Sequence, residues 1–581
     1  MRAPIHTGRG VALLLVGTLF AIGAAGMPAR ADEPSFTWTG FYVGAHTGAA
    51  MDYSNFSNPY GPTLFGGEVR SPGPFIGGQL GYNYQYGQAV FGLQADASWA
   101  NLQGTATCMQ PAHSLRGNKF VGGTFGATCE SEPDWFGTLT ARGGLALGPD
   151  GRMLVYGKGG LAWLHNNVDM TINNSAAPNY GPDNVLKNES STQWGWTLGG
   201  GLEYALSSRW SLGLEYDYLH FGDHSLPTPT SGPFANPSTL GIVNSTASDG
   251  RLANVSQDVH AAKLAINYAL DERGEPAASL ASGAGARAPA FGSGFEAEIG
   301  GRYVYAWSRF QQDLGTENVP LPVNNSRLTW ENVGTNGVEL FGRIDTPWNV
   351  MLKGIVGVGR GDEGHIQDED WGIARTVPVV SVTPYQITQS NVSSSLDYFT
   401  LDLGYDWLRT RSYRVASFVG YNYFRYKMNA LGCTYLNIAP PEPCGDPPTL
   451  VILQEMDEWR SWRLGTVAEL MLTPTLKLTG EVAYLPFVRY AGVDNHPSRA
   501  DASFTTRSPG NGVGTGVQAE GVVTYDLTDA FSLGVGGRYW SMAVPQGLTN
   551  FFSRNEFTQE RFSTENAAVF VQGSYTFDAP D

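Results

Sequence analysis

Two short stretches of this chain hold residue types that can activate a water molecule. The first, HIQDEDWG, runs from His365 to Gly372 and sets three acids in a row in a chain that is only 15% charged. The second, VDNHPSR, runs from Val493 to Arg499. A histidine oriented by a carboxylate is a general base near neutral pH, and an opposed carboxylate pair can hold and polarise a water. Asp494 with His496 suits the first role and Asp368 with Asp370 the second, so hydrolysis would need no serine or cysteine nucleophile. The same residues also fit a solvated turn, a weak calcium site or ordinary loop composition, and Glu369 is given no part in the chemistry.

Something must bring these stretches together, and the rest of the chain indicates what. Arg2 and Arg9 precede the apolar run GVALLLVGTLFAIGAAG, which ends at Ala29-Arg30-Ala31. This is the pattern of a signal peptide over residues 1–31, cleaved after Ala31, and no later run offers the ~20 apolar residues of a spanning helix. Segments such as GFYVGAHTGA, FIGGQLGYNYQY, FGTLTARGGLAL and WSLGLEYDYLHF then alternate apolar with small or polar residues and cluster aromatics at their ends. That alternation, at about ten residues per segment, is the signature of outer-membrane barrel strands with aromatic girdles. About eight such segments precede residue 270. About ten more follow the Ala/Gly/Ser/Pro-rich stretch 271–290, which reads as a flexible linker. The expected fold is all-β: two transmembrane antiparallel up-and-down β-barrels, of about eight strands over residues 32–270 and about ten over 291–581. A single barrel of roughly eighteen strands is the alternative.

In the second half the connections DTPW, RTRS, TPT and TDA are tight, and those between them are long and polar. Outer-membrane barrels turn tightly on the periplasmic side, so the long loops face outside the cell. Both water-activating stretches then fall in long outer loops, the first within Gly359–Ser393, on opposite walls of one mouth. Cys108 with Cys129 and Cys433 with Cys444 read as two local disulfides of an exported protein, and their spacing fits no usual zinc motif, so no metal is expected. A net charge of −17 argues against nucleic acid as a partner and suits cationic ones.

Asp368-Glu369-Asp370-Trp371, preceded by LTWENVGTNGVELFGRIDTPWNVMLKGIVGVGRG and followed by LDLGYDWLRTRSYRVASFVGYNYFRYKM and Asp494-Asn495-His496, resembles the omptins, ten-stranded outer-membrane proteases. The resemblance covers most of residues 292–577. It implies peptide hydrolysis at the cell surface: Asp494 would orient His496, His496 would deprotonate a water, and Asp368 and Asp370 would hold that water against the scissile carbonyl. It implies a need for lipopolysaccharide but no other cofactor, with Arg425 and Arg460 as the lipid-binding positions, and cationic peptide or protein substrates. The sequence departs from the family at Gly492, where an acid is usual, and Asp313 and Glu317 are the candidates for the first-strand acid. In the first half, FTWTGFYVGAHTGAA and the segments after it resemble the opacity-type surface-antigen barrels, which implies a structural or porin-like part; His165, His220 and His260 read as isolated strand-end residues. The expected protein is an outer-membrane surface endopeptidase of a Gram-negative bacterium, and the alternative is a non-catalytic structural, adhesive or porin protein of the same membrane.

Overall fold

The computed structural model describes residues 36–578 apart from 58–66, 109–113, 117–118, 122–125, 149, 174–185, 228–233, 237–240, 244–251, 275–290, 292–293, 316–323, 376–380, 411, 437–441, 498–506 and 551–556. The signal segment and most of the expected linker therefore lie outside the described residues.

The alternating segments form two closed antiparallel sheets. In the first, Gly40–Phe56, Gly67–Tyr86, Ala89–Ala100, Gly126–Leu147, Met153–Asn173, Leu186–Ala205, Trp210–Pro227 and Leu252–Ala269 pair in chain order. The last returns to the first, with Tyr42 opposite Ala269 and Phe56 opposite Val255. The short strand Gly104–Cys108 continues the third stave along Gly126–Leu147, so this ring has eight staves. The second ring runs Glu296–Leu314, Ser326–Asp345, Val350–Gly361 continued by His365–Arg375, Ser381–Arg409, Tyr413–Tyr435, Val451–Thr473, Leu476–Asn495, Arg507–Asp526, Phe531–Asn550 and Phe557–Asp578. It closes with Glu296 opposite Asp578, as ten staves. Each half closes on itself, so the chain is two barrels and not one of eighteen strands.

Closure pairs the long spanning strands of each ring on both sides, which is what lipid demands of a spanning sheet. Alternation then sorts the side chains. Leu80, Leu93, Leu139, Leu161 and Leu198 of the first barrel are exposed on its outer wall, as are Ile299, Leu340, Val356, Leu401 and Val571 of the second. Aromatic residues bound this apolar band, among them Tyr84, Trp99 and Trp194 in the first barrel and Trp348, Trp462, Tyr575 and Phe577 in the second. The tight connections expected at DTPW, RTRS, TPT and TDA do join consecutive strands.

Inside, ion pairs fill both lumens. Arg142–Glu203 and Lys158–Glu215 pair at 2.7 Å in the first. In the second, Arg302–Glu339 pairs at 2.7 Å, Arg538–Glu339 at 2.6 Å and Arg463–Asp402 at 2.6 Å. An eight-stranded ring is just wide enough for its own side chains. The porin-like expectation for the first barrel gives way on this point, because packed charges and not a channel occupy its described lumen.

The two motif stretches differ from the expected loops. Asp368, Glu369 and Asp370 lie within the strand His365–Arg375, and Asp494 and Asn495 end the strand Leu476–Asn495. Strands such as Ser381–Arg409, at 29 residues, are far longer than the ~10 that cross a bilayer. Their upper parts rise above the membrane, where neither face meets lipid, so the apolar alternation that marks a strand in sequence is missing there.

Candidate functional site

One irregularity sets the course of the strand that carries the acid run. Gly364 has φ 104° and interrupts the third stave of the second barrel. A β-carbon there would run into the carbonyl oxygens of Glu331 and Asn332, so glycine alone suits this turn. Beyond it His365–Arg375 pairs with the upper part of Ser326–Asp345, with Leu328 opposite Asp368 and Ser326 opposite Asp370. Directly opposed residues share a face of the sheet. Leu328 and Ile366 belong to the packed cluster inside the barrel, so Asp368 and Asp370 face the lumen. Glu369 between them faces the outer wall, where its carboxylate accepts a 2.8 Å hydrogen bond from Thr107 of the first barrel.

On Leu476–Asn495 the same alternation turns Val488, Tyr490, Gly492 and Asp494 inward, the first two of them in the same cluster. His496 follows, its Nδ1 3.3 Å from Asp494 Oδ1, and its side chain is 16% exposed, so water reaches the ring. Across the sheet Asp494 faces Glu455 and Gly492 faces Asp457. The Tyr490 hydroxyl donates to Asp457 Oδ1 at 2.6 Å, and a β-carbon at Gly492 would overlap that hydroxyl. The acid missing at position 492 thus has a counterpart one strand away, which a search along a single strand cannot find.

This end of the barrel stands above the lipid-facing band, which on Val451–Thr473 begins at the exposed Trp462. Burial pushes the Asp457 carboxyl up to about 7. It also raises Glu455, with Asp457 adding to the effect, and Glu560. The strand bearing Asp368 and Asp370 is the third stave of the ring and that bearing Asp494 the seventh, so they stand on facing walls. An aromatic floor reaches the Asp494 wall from across the ring: Phe310 of the first stave contacts Trp459 at 6.3 Å and Tyr490 at 6.2 Å, and Tyr490 stacks on Phe562 of the tenth at 4.0 Å.

Other expected residues fall elsewhere. Arg425 and Arg460 lie on the outer wall, each against an acid: Arg425 Nη2 is 2.9 Å from Asp397 and Arg460 Nη2 is 2.5 Å from Glu458. Arg460 also lies 5.9 Å from the centre of the Tyr423 ring. Asp313 is not a groove acid. Alternation places it on the outer wall, paired with Arg327 at 2.7 Å and bonded to Thr105 of the first barrel. Glu317, Ser498 and Arg499 lie outside the described residues. Cys108–Cys129 and Cys433–Cys444 are bonded, with Cα separations of 5.8 and 5.3 Å. His165, His220 and His260 of the first barrel are not isolated, since strand pairing gives each a neighbour. His165 meets Asp134 at 2.6 Å, His220 meets Asp258 at 2.7 Å and His260 meets the Tyr216 hydroxyl at 2.6 Å.

Closed rings with apolar outer walls and aromatic girdles define a β-barrel protein of the Gram-negative outer membrane. The chain belongs to the family described as the outer membrane protein beta-barrel domain, whose profile matches residues 17–243. The 31 kDa outer-membrane immunogenic protein of Brucella melitensis is 32% identical over 233 residues, 38% of this chain and 89% of the relative. The 22 kDa outer membrane protein of Rhizobium leguminosarum is 27% identical over 190 residues, 32% of this chain and 67% of the relative. Among solved structures, the outer membrane protease OmpT from Escherichia coli matches 49% of this chain and 96% of its own, at 15% identity and a TM-score of 0.39. A likeness of that degree carries no argument, so the second barrel is read from its own residues.

Proposed function

We propose that the second barrel is a surface endopeptidase of the omptin type. The observation that carries this reading is the Asp494–His496 pair at 3.3 Å on one wall of the outer mouth, with two lumen-facing aspartates, Asp368 and Asp370, on the facing wall. In this reading the Asp494 carboxylate, 3.3 Å from Nδ1, holds the imidazole proton on that side and leaves Nε2 as the base. That nitrogen removes a proton from a water held by Asp368 and Asp370, the resulting hydroxide attacks the peptide carbonyl, and the imidazolium returns the proton to the leaving amine. Arg425 and Arg460, beside Tyr423 on the outer wall, take the phosphates of lipopolysaccharide, and the acids of the mouth suit a cationic peptide or protein. The first barrel, residues 32–270, is the structural part, and residues 271–290 connect the two.

A second reading is a structural or adhesive surface protein. It is favoured by the relatives of the first barrel, named as outer-membrane and immunogenic proteins. Incubating the refolded full chain with a mixture of internally quenched peptides, with and without lipopolysaccharide, separates the two. Cleavage that requires lipopolysaccharide supports the endopeptidase. A protein that cleaves no peptide in either condition leaves the structural reading standing.

A further inference from the structure

The two barrels touch at two heights. Near the tight-turn end the Tyr413 hydroxyl donates to the Leu206 carbonyl at 2.9 Å, beside a Tyr204–Tyr413 ring contact at 6.0 Å and a cluster with Leu206 and Leu470. Near the outer end a buried polar network joins them. Thr105 donates to Asp313 at 2.5 Å, Gln311 donates to Thr105 Oγ1 at 2.8 Å, Asn324 donates to Thr128 at 3.1 Å, and Arg561 pairs with Glu130. Contacts at both ends fix the tilt of one barrel against the other, which a single contact would leave free.

At the centre of the upper network stands Thr107. Its hydroxyl accepts from Arg327 Nη1 at 2.6 Å and donates to Glu369 Oε2 at 2.8 Å. Arg327 is the cross-strand partner of Glu369 and is itself paired with Asp313. Thr107, Arg327 and Glu369 are 8%, 2% and 5% exposed, so water is a poor substitute for these partners. Directly behind, the Cys108–Cys129 disulfide staples Gly104–Cys108 to Gly126–Leu147, where Thr107 pairs with Thr128. The hydroxyl that meets Glu369 is therefore mounted on a cross-linked hairpin.

We infer that the first barrel is a positioning element for the second: Thr107 and Arg327 grip Glu369 from outside and thereby fix the aim of Asp368 and Asp370 into the lumen. The reason is geometric. Adjacent residues of a strand point to opposite faces, so anchoring the outward side chain sets the rotation of the strand and with it the two inward neighbours. Glu369 is a positioning residue and touches no substrate. The inference rests on the endopeptidase reading only where it speaks of rate, and the grip itself can be measured without substrate.

The test compares the full chain with Thr107→Val, Thr107→Ser, Glu369→Gln and the Thr107→Val/Glu369→Gln double variant. Two quantities are read: amide hydrogen exchange over residues 365–371, and kcat and KM on internally quenched peptides with lipopolysaccharide. Thr107→Val is expected to speed exchange about tenfold and to lower kcat about tenfold, with KM within about twofold, since loosened support acts on placement and not on binding. Thr107→Ser restores both, and the double variant is no worse than the worse single one, because the two residues act through one contact. Exchange and kcat unchanged in Thr107→Val, or effects that simply add in the double variant, overturn the inference. If exchange responds as stated but wild type cleaves nothing, the grip stands and the endopeptidase reading fails.

Discussion

The two barrels solve the same problem below and opposite problems above. At membrane depth each fills its lumen with paired charges, Arg142–Glu203 in one and Arg538–Glu339 in the other. At the outer end they part. The first closes with an apolar plug in which the Cys108–Cys129 bridge packs with Phe56, Val69, Met170 and Val255. The second lays an aromatic floor and sets carboxylates above it, with Asp368 and Asp370 on one wall and Glu455, Asp457 and Asp494 on the other. A plug lowers free energy by burying apolar surface, whereas clustered acids raise it through desolvation and mutual repulsion. On the proposed reading, residues that cost stability in one barrel, where a plug serves in the other, mark where function is placed. The shared frame carries no such information.

The comparison breaks most sharply at the closing strand. Deleting Val569–Phe577 removes the edge that pairs with Glu296–Leu314 and should abolish closure of the second barrel while the first, closed by its own Gly40–Phe56 and Leu252–Ala269 pair, still folds. Heat-modifiable gel mobility with limited proteolysis reads the two separately, and loss of both barrels would contradict independent closure. Next in size is chemistry. His496→Ala should cost about 10²–10⁴-fold in peptide hydrolysis with both barrels folded, the contribution usual for a general base. His165→Ala should change it by less than about twofold, because His165 and its Asp134 partner belong to the first barrel and line no part of the carboxylate mouth. Hydrolysis by wild type should fall as pH drops below about 6, where a histidine takes up a proton and can no longer act as base.

Buried pairs test whether the two lumens are equivalent. Arg538→Met leaves Glu339 short of a partner in the second barrel, as Arg142→Met does to Glu203 in the first. Each should destabilise its own barrel by about 3–5 kcal/mol, read by denaturant unfolding in micelles. A smaller effect is confined to the acid mouth. The Asp457 carboxyl titrates near 7 when folded, against about 3.9 in an unfolded chain. A raised value means that its contribution to stability is fully present below about pH 4 and is lost as pH rises toward 7. Amides 453–459 should therefore exchange more slowly at pH 5 than at pH 8 after correction for intrinsic rates, and Asp457→Asn should flatten that difference. The smallest change expected is in fold stability on Arg425→Ala, within about 1 kcal/mol for a part-exposed ion pair, while the lipopolysaccharide needed for half-maximal hydrolysis rises.

Much of this was legible in the residues. Period-2 alternation over some ten residues, aromatics at segment ends and the spacing of DTPW, RTRS, TPT and TDA are consequences of lipid on one face and packed side chains on the other, so the sequence by itself determined the strands, the staves and the tight turns. Asp494 and His496 are two residues apart at the end of one strand and just past it, and a local pair can be read along the chain. The fate of HIQDEDWG could not. That Asp368 and Asp370 turn inward while Glu369 turns out depends on the register with Ser326–Asp345, set by the break at Gly364. That Glu369 meets Thr107 depends on a contact across 262 positions and on how two barrels lean together. Asp457 in place of an acid at 492, and Asp313 bound to the first barrel instead of the groove, are likewise decisions of cross-strand and inter-barrel geometry. Only the tertiary structure decided them, because alternation says that neighbouring side chains face opposite ways but not which neighbour faces in, nor what waits on the other side.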